Sequence, residues 1–414
     1  MPLPLIGLVD CNHFYASCEY VFHPTAQHII VGSNNDGCAI ALSPGARAHV
    51  PMGAPLFKHE ETFVKHNITV FSANFALYAD FSNRVMHTLK TCVPDVYWYS
   101  IDESFATFPD LVKAHDVQKR IKQWTGINTT IGIAETKTLA KLANHIAKEK
   151  PEHAGVYYLP QGSERDDVLE SLDVGKVWGI GSRWRKRLHA LGLRTVRQLK
   201  EARPQWIRKH FSVVLERTVR ELNGLRCIPL EEQPAASRHR TCSRSFGTPI
   251  TELSDLEESI SYFASRVTAR MRRDALLGQC VQVFVTTKDN TPDPHYSNGF
   301  TLALPEPTSY APTIAQYARL GLKQIYRKGY LYRRAGINIF GLTKETNRQR
   351  DLFTTADPGK EKALMSVLDQ INALYGRDTL RLASEGTGDQ IWKMRQVKRS
   401  NRYTTRWDEI PEAA

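Results

Sequence analysis

Short apolar strand patterns alternate with helical patterns over the first 170 residues. Residues 5 to 11 and 96 to 107 have the composition of buried strands, and residues 129 to 134 form a third strand pattern. A helical segment, residues 137 to 148, follows the third pattern directly. Because such alternation is typical of a sheet covered by helices, the sequence predicts an α/β or α+β unit here.

The length and charge of the chain limit its organisation and its partners. At 414 residues it is too long for one compact core, so two to four domains are expected. The net charge of +12 favours a polyanion as partner, since each Lys or Arg near a phosphate backbone releases counterions. A basic, solvated surface accounts for the charge as well. Charge alone therefore identifies no activity.

The sequence contains no pattern that points to export or to a membrane. No run approaches the roughly 20 apolar residues of a membrane-spanning helix, and the amino terminus has no basic leader or cleavage site. The seven cysteines include no Cys-x-x-Cys and no Cys/His spacing of a zinc site. We therefore expect reduced thiols in a cytoplasmic protein that has no membrane contact.

Basic and mixed segments follow the first 170 residues. Residues 171 to 235 read as helical, with seven Lys or Arg and no acid between Lys176 and Arg197. After a linker near residues 233 to 240, a second α+β unit is expected. Its first helix is predicted to open with a capping box from Ser254 to Glu257. Its other predicted elements are strands near 280 to 287, 298 to 304 and 332 to 342, and a helix near 312 to 327.

Three acidic residues stand at the ends of strand patterns: Asp10 in the first, and Asp102 with Glu103 in the second. If a sheet brings them together, they repel and protonate unless cations such as Mg²⁺ neutralise them. Two such ions, about 3.5 to 4 Å apart, can activate an attacking hydroxyl and stabilise the leaving oxygen of a phosphoryl transfer. Acids at strand ends are, however, more often simple turn formers.

The residues around these acids favour the metal-binding interpretation. Asp10 begins the sequence Asp-Cys-Asn-His-Phe-Tyr-Ala-Ser-Cys-Glu, and Asp102 and Glu103 lie within Tyr-Ser-Ile-Asp-Glu-Ser-Phe. Both stretches resemble the metal-binding motifs of the Y-family, lesion-bypass DNA polymerases. Further stretches resemble the UmuC branch, which chromosomes and mobile elements both carry; they are residues 33–38, 78–84, 136–144 and 243–247. The resemblance extends over nearly the whole chain.

The resemblance implies an α+β fold of the right-hand polymerase type. Its expected parts are a ferredoxin-like palm (1–24 and 76–170), small fingers (25–75), a helical thumb with a helix-hairpin-helix (171–235), an α+β little finger (240–345) and a C-terminal clamp-binding and tail region (346–414).

The resemblance also assigns roles at the active site. Asp10, Asp102 and Glu103 are implied to be the catalytic side chains that hold two Mg²⁺ ions, with the backbone carbonyl of Cys11 completing the set. Tyr15 matches the steric gate, an aromatic ring that rejects the 2′-hydroxyl of a ribonucleotide, and Phe14 beside it is assigned to nucleotide binding. A core aromatic of an amphipathic helix is the alternative interpretation of Tyr15.

Several basic residues are candidates for binding the triphosphate. Lys137, Lys141 and Lys148 lie on one face of the predicted helix, a pattern that a solvated lysine stripe also explains. The resemblance places Lys148 at the triphosphate together with Arg47 of the fingers. Lys150, which directly precedes a proline, is an alternative to Lys148.

Glycines and basic residues form the expected DNA-binding surfaces. Gly179 and Gly181 would let backbone amides approach a phosphate at a helix amino terminus, and Arg183 follows them. An ordinary helical turn would show the same spacing. In the little finger, Arg244 and Arg273 are expected phosphate contacts.

A short motif near the end of the chain resembles the peptide that docks bacterial polymerases on the β sliding clamp. Gln349, Leu352 and Phe353 would be its contacts, with the two apolar side chains as anchors. Arg350 replaces the more usual apolar residue within it.

The resemblance implies an error-prone translesion DNA polymerase that adds dNTPs to a primer opposite damaged template DNA in the SOS response. The resemblance implies a UmuD′-like dimer, RecA and the β sliding clamp as partners. Two other kinds of protein remain as alternatives, a metal-dependent nuclease or cyclase and a non-catalytic DNA-binding subunit.

Overall fold

The computed structural model describes residues 5–230, 238–287, 295–347, 357–388 and 390–411. It divides the chain into two compact units. The first contains residues 1–234 together with 397–414, and the second contains residues 235–396. The end of the chain therefore packs with the first unit.

The first unit mixes strands and helices along its length. Its strands are β1 (Leu5–Cys11), β2 (His28–Gly32), β3 (Ala39–Leu42), β4 (Ile68–Ser72), β5 (Val96–Trp98), β6 (Glu103–Phe108), β7 (Thr129–Ala134) and β8 (Val156–Tyr158). Its helices are α1 (Phe14–Phe22), α2 (Pro44–Arg47), α3 (Glu60–Lys65), α4 (Phe75–Cys92), α5 (Leu111–Thr125), α6 (Lys137–Glu149), α7 (Ser163–Glu170), α8 (Ser182–Ala190), α9 (Val196–Glu201), α10 (Pro204–His210) and α11 (Val213–Leu222).

A five-stranded sheet with the order β5-β6-β1-β7-β8 forms the centre of this unit. β1 lies in the middle and pairs antiparallel with both β6 and β7. Ile6 and Leu8 pack against α6, whereas Val9 packs on the opposite side with α1, α4 and α5. Since successive side chains of a strand point to opposite faces, Asp10 lies on the face that α6 covers.

Most of the predicted elements of this unit are confirmed, with one correction. β1, β7 and α6 follow the predicted ranges closely. The single strand predicted for residues 96 to 107 is wrong, because β5 and β6 form a hairpin. The Ser100 hydroxyl accepts hydrogen bonds from the backbone amides of Asp102 (3.3 Å) and Glu103 (3.0 Å), which stabilises the turn. The acidic pair therefore opens β6 instead of ending a strand.

A smaller sheet and a helical region complete the first unit. In the small sheet, β2 pairs antiparallel with β3 and parallel with β4. Ser43 caps the short α2 by accepting the amide of Ala46, and Arg47 at its end is exposed. Helices α7 to α11 share a core with α6, to which Leu188, Leu199 and Leu222 contribute.

The second unit is an antiparallel sheet whose core is shared with two of its three described helices, Leu253–Arg273 and Ala311–Ile325. Its strands are β9 (His239–Ile250), β10 (Leu276–Thr287), β11 (Ser297–Thr308), β12 (Tyr332–Phe340) and β13 (Thr343–Lys344), and its helices are α12 (Leu253–Arg273), α13 (Ala311–Ile325) and α14 (Pro358–Leu374). The four long strands have the order β11-β10-β12-β9. Phe263 of α12 and Val283 of β10 lie in the core between the sheet and the helices.

The α+β character predicted for this second unit is confirmed, and so are its long elements. The predicted capping box is wrong, because α12 begins at Leu253 after Glu252 and Ser254 already lies in its first turn. Among the described residues, no helix combines the length and apolar composition that a membrane crossing requires.

Candidate active site

Asp10 and Glu103 are direct partners across the β1–β6 pair, so both side chains point to the face that α6 covers. Asp102 comes immediately before β6, and its carbonyl accepts the backbone amide of Cys11 at 2.8 Å. The charges of Glu103 and Asp102 both act on Asp10 and raise its pKa. The structure thus brings the three predicted acids together at one end of the central strands.

Burial is the main cause of the raised pKa of Asp10, which is about 6. The Lys148 ammonium lies 2.7 Å from its Oδ1 and opposes the rise. A buried carboxylate with two acidic neighbours and one lysine is a position where a cation is strongly favoured. Asp10 therefore has the environment expected of a metal ligand.

Glu103 and Asp102 also have polar partners. The Lys141 ammonium donates to both Glu103 oxygens, at 3.0 and 3.1 Å. The same ammonium lies over the rings of Tyr99 (4.6 Å) and Trp178 (5.2 Å). Ser100 Oγ donates to Asp102 Oδ1 at 2.5 Å. Each acid of the site is thus paired with a side chain of the protein.

These pairings explain how the side chains are arranged. Within the described ranges, no three His, Cys, Asp or Glu side chains converge closely enough to hold a metal ion as they stand. Asp10 points to Lys148, Glu103 to Lys141 and Asp102 to Ser100. The donor set consists of hard carboxylate oxygens, which suit Mg²⁺, and the backbone already holds the acids together. The three acids would therefore suit a divalent cation.

The predicted lysines separate into two groups. Lys141 and Lys148 reach the acids, as described above. Lys137 is buried, and its ammonium donates to the carbonyl of Pro229 and lies 5.1 Å from the centre of the Phe105 ring. Lys150 lies 4.0 Å from Glu152. Of these two lysines, Lys148 and not Lys150 is therefore the one paired with Asp10.

Arg47 and Lys148 are both near enough to His13 for their charges to act on it. Both cations lower the pKa of His13, although burial is the larger cause. His13 is in the left-handed conformation (φ 49°) at the start of α1, directly after the segment that carries Asp10. Sequence reasoning did not single out His13; the available signal was its position between Asp10 and Tyr15.

The aromatic pair Phe14 and Tyr15 begins α1. Phe14 is buried, whereas Tyr15 is half-buried. The Tyr15 ring stacks on Tyr78 of α4 at 4.6 Å with an interplanar angle of 17°, and Phe75 meets it edge-on at 5.8 Å. Burial and then the charge of Asp102 raise the pKa of the Tyr15 phenol, so the ring lies near the acids.

Glu19 is a second residue that sequence reasoning missed. It is fully buried, and its Oε1 accepts hydrogen bonds from the hydroxyls of Tyr78 (2.6 Å) and Ser400 (3.0 Å). Its Oε2 has no hydrogen-bond partner among the described residues. Burial raises the pKa of Glu19 to about 7. The available signal was an acid on the apolar face of a helix.

The candidate phosphate-binding turn precedes α8. Gly179 has a φ of 86°, and Gly181 is the N-cap residue of α8 with a φ of −82°. A Cβ at either position would meet no heavy atom within 4 Å in the described structure. Arg183 is exposed and makes no salt bridge to a described residue, whereas Arg185 pairs with Asp173 at 2.7 Å.

Basic residues of the second unit lie on different faces of its sheet. Arg244 on β9 is exposed and lies on the side of Cys242. Burial raises the pKa of Cys242 and of Tyr262, and the nearby charge of Arg244 opposes the rise at both. On the open face, the Arg334 guanidinium donates to Ser243 Oγ at 3.0 Å. Sequence reasoning missed Arg334, which only the strand pairing places on that face.

Two further predicted contacts have different outcomes. Arg273 is exposed at the end of α12. The clamp-binding motif of Gln349, Leu352 and Phe353 lies outside the described residues.

Comparison with known proteins identifies the family. The sequence model of the impB/mucB/samB family matches residues 9–145, the model of that family's C-terminal domain matches residues 239–352, and a domain of unknown function, DUF4113, matches residues 362–413. Protein ImpB of Salmonella typhimurium is 40% identical, with 99% of each chain covered. The chain belongs to the impB/mucB/samB family. Protein UmuC of Salmonella typhimurium strain LT2 is 39% identical over 98% of this chain and 99% of its own length.

The fold of this impB/mucB/samB member is also that of solved polymerases. The Y-family DNA polymerase chimera Dbh-Dpo4(243-245)-Dbh superposes with a TM-score of 0.65 at 20% identity, covering 82% of this chain and 99% of that one. The predicted membership of the UmuC branch of the Y-family and the predicted right-hand polymerase fold are confirmed. The chain is an error-prone translesion DNA polymerase, and Y-family polymerases depend on a divalent metal.

Proposed function

We propose that Asp10, Asp102 and Glu103 hold two Mg²⁺ ions, together with the backbone carbonyl of Cys11, and that this site adds dNTPs to a primer opposite damaged template DNA. The observation that supports it is the pairing of Asp10 with Glu103 across β1 and β6. When bound, the two ions would activate the primer 3′-hydroxyl and stabilise the leaving pyrophosphate.

The lysines of α6 and Arg47 bind the incoming triphosphate. Lys148 and Lys141 form ion pairs with Asp10 and Glu103. If the acids held cations, the two ammonium groups would be available to the phosphates of an incoming nucleotide. The charges of Arg47 and Lys148 both act on His13, which supports Arg47 as a further cation for the triphosphate.

Tyr15 selects the sugar, with Phe14 beside it. The Tyr15 ring is supported from one side by Tyr78 and at its edge by Phe75, so it has little freedom to move away from a 2′-hydroxyl. A ribonucleotide therefore clashes with a fixed ring, whereas a deoxynucleotide does not.

The remaining assigned residues bind DNA and partner proteins. Gly179, Gly181 and Arg183 contact phosphates of the duplex without reading its sequence, and Arg244 contributes from the second unit. Kinship with the UmuC branch supports a role in the cytoplasmic SOS response with a UmuD′-like dimer and RecA. The motif at Gln349, Leu352 and Phe353 is assigned to the β sliding clamp.

Neutral variants of the acids test the proposal. Asp102→Asn and Glu103→Gln should lower primer extension at least about 100-fold, since each removes a ligand worth several kcal/mol to the transition state. DNA affinity, measured by fluorescence anisotropy on a primer-template, should change less than about twofold because no DNA contact is lost. Glu152→Gln, which alters an exposed acid outside the site, is the control. Loss of DNA binding with extension retained contradicts the assignment.

A further inference from the structure

The end of the chain returns to the first unit and lies along its small sheet. We call residues 397–411 the C-terminal strap. Two hydrogen bonds join Lys398 of the strap to Ser72 at the end of β4. The backbone amide of Lys398 donates to the Ser72 hydroxyl at 2.9 Å, and the carbonyl of Lys398 accepts the backbone amide of Ser72 at 3.0 Å. Arg399 pairs with Ser72 as a parallel bridge. The strap therefore extends the sheet beyond β4 by a short strand-like contact.

Asn74 fastens the strap to the start of α4. Its side-chain amide donates to the carbonyls of Ser400 and Asn401 and to Ser400 Oγ, each at 3.1 Å. Its Oδ1 accepts the backbone amide of Leu77 at 3.4 Å and so caps the helix. Because Asn74 is buried, these bonds are shielded from water, and Ser400 is held in one place.

A buried chain of contacts leads from Ser400 to Tyr15. Ser400 Oγ donates to Glu19 Oε1 at 3.0 Å, and the Tyr78 hydroxyl donates to the same oxygen at 2.6 Å. Glu19 and Tyr78 are both fully buried. The Tyr78 ring then stacks on Tyr15 at 4.6 Å. Two hydrogen bonds and one ring contact thus connect the strap to Tyr15.

Simple packing does not account for this chain of contacts. A buried carboxylate costs free energy, and Oε2 of Glu19 has no hydrogen-bond partner within the described structure. An apolar side chain at this position would avoid that cost. Glu19 orients Tyr78 instead. Its carboxylate holds the Tyr78 hydroxyl in place, and this fixes the plane of the ring on which Tyr15 stacks.

We propose that the C-terminal strap sets the position of Tyr15 through Ser400, Glu19 and Tyr78, which makes Ser400 a positioning residue for sugar selection. The proposal rests on the assignment of Tyr15 as the steric gate. Ser400 does not touch the nucleotide; it acts by holding the support of the ring. Tyr403 strengthens the attachment of the strap, because its ring stacks on Phe22 of α1 at 4.2 Å.

Single-nucleotide insertion kinetics with a dNTP and with the matching rNTP test this proposal. Ser400→Ala and, separately, Tyr78→Phe should lower the dNTP-to-rNTP ratio of kcat/KM about threefold to tenfold, the effect of one lost hydrogen bond. The dNTP kcat/KM itself should stay within about twofold, and Ser400→Thr should restore the ratio. Thr404→Ala is the matched control in the strap, since the Thr404 hydroxyl has no hydrogen-bond partner among the described residues.

A Tyr15→Ala variant distinguishes the strap proposal from the assignment of Tyr15 as the steric gate. In a Tyr15→Ala background, Ser400→Ala should leave the sugar ratio unchanged, because no ring remains to be positioned. If Tyr15→Ala alone leaves the ratio unchanged, the gate assignment is wrong. If Tyr15→Ala changes the ratio but Ser400→Ala and Tyr78→Phe do not, the strap proposal is overturned. Equal loss of dNTP and rNTP insertion in both variants overturns it too, since that marks a structural role only.

Discussion

The Asp10 carboxylate lies 2.7 Å from the ammonium of Lys148 on α6. Glu103, which pairs with Asp10 across the sheet, accepts a hydrogen bond from Lys141 of the same helix. Lys141 and Lys148 are seven residues apart, which is two turns of α6, so they lie on one face. The lysines of α6 therefore balance the charges of these two acids. Under the proposed function, these two lysines bind the incoming triphosphate.

Replacement of Lys148 should weaken nucleotide binding more than catalysis. Lys148→Met removes a cation from the phosphates and should raise the KM for dNTP about tenfold or more, with a smaller effect on kcat. Steady-state single-nucleotide insertion measures both constants. Lys150→Met is the matched control, because Lys150 lies beside Glu152 and not beside Asp10, and it should stay within about twofold. Equal effects of the two variants would contradict the assignment of Lys148.

The raised pKa of Glu19 predicts a pH-dependent stability. Burial raises this pKa to about 7 from its ordinary value of 4.5, so the folded state holds the proton more tightly than the unfolded state. The stabilising contribution of the protonated carboxyl is complete below about pH 4.5 and is lost as pH rises through about 7.

Glu19→Gln isolates this contribution because glutamine does not titrate. The Tm of the variant should rise relative to that of the wild type between pH 5 and pH 8. The corresponding change in the difference between their free energies of unfolding is up to about 3 kcal/mol. Thermal unfolding followed by circular dichroism at several pH values measures the difference. Parallel pH curves for the two proteins would show that Glu19 does not titrate differently on folding.

Local sequence patterns were sufficient for the elements that carry the acids. β1, β7 and α6 have continuous apolar or amphipathic patterns, and Thr136 caps α6 in the ordinary way. The turn between β5 and β6 was missed because it contains no glycine or proline and depends instead on the hydroxyl of Ser100.

Contacts between distant residues were beyond such patterns. Ser400 and Glu19 are 381 residues apart, and no local periodicity relates them. The lysines of α6 show the same limit. Lys137 and Lys141 share a helical face but have different partners. Lys137 contacts the Phe105 ring and the Pro229 carbonyl, whereas Lys141 donates a hydrogen bond to Glu103. Only the packing of neighbouring elements decides which lysine enters the site.

A methyl group at Gly181 should weaken DNA binding without destabilising the fold. Gly181 has an ordinary φ of −82°, and a Cβ there would meet no described atom within 4 Å. Gly181→Ala should therefore unfold at the wild-type temperature, whereas its Cβ should lower affinity for a primer-template several-fold by keeping a phosphate away from the amides. Gly179→Ala is the informative contrast, since its φ of 86° should cost about 1 kcal/mol of stability as well. Wild-type DNA affinity in Gly181→Ala would remove this turn from the DNA interface.

Arg183 should carry more of the salt dependence of DNA binding than Arg185 on the same helix. Arg183 is exposed and has no salt bridge to a described residue, whereas Arg185 is paired with Asp173 at 2.7 Å. A guanidinium that neutralises one phosphate contributes about 0.9 to the slope of log Kobs against log salt concentration, so Arg183→Ala should flatten the slope by nearly that amount. Arg185→Ala should change it much less, because a cation already neutralised by a carboxylate releases few counterions. Anisotropy titrations at salt concentrations from about 50 to about 200 mM measure the slopes of both variants. A larger change from Arg185→Ala would mean that DNA displaces Asp173 and that Arg185 is the phosphate contact of this helix.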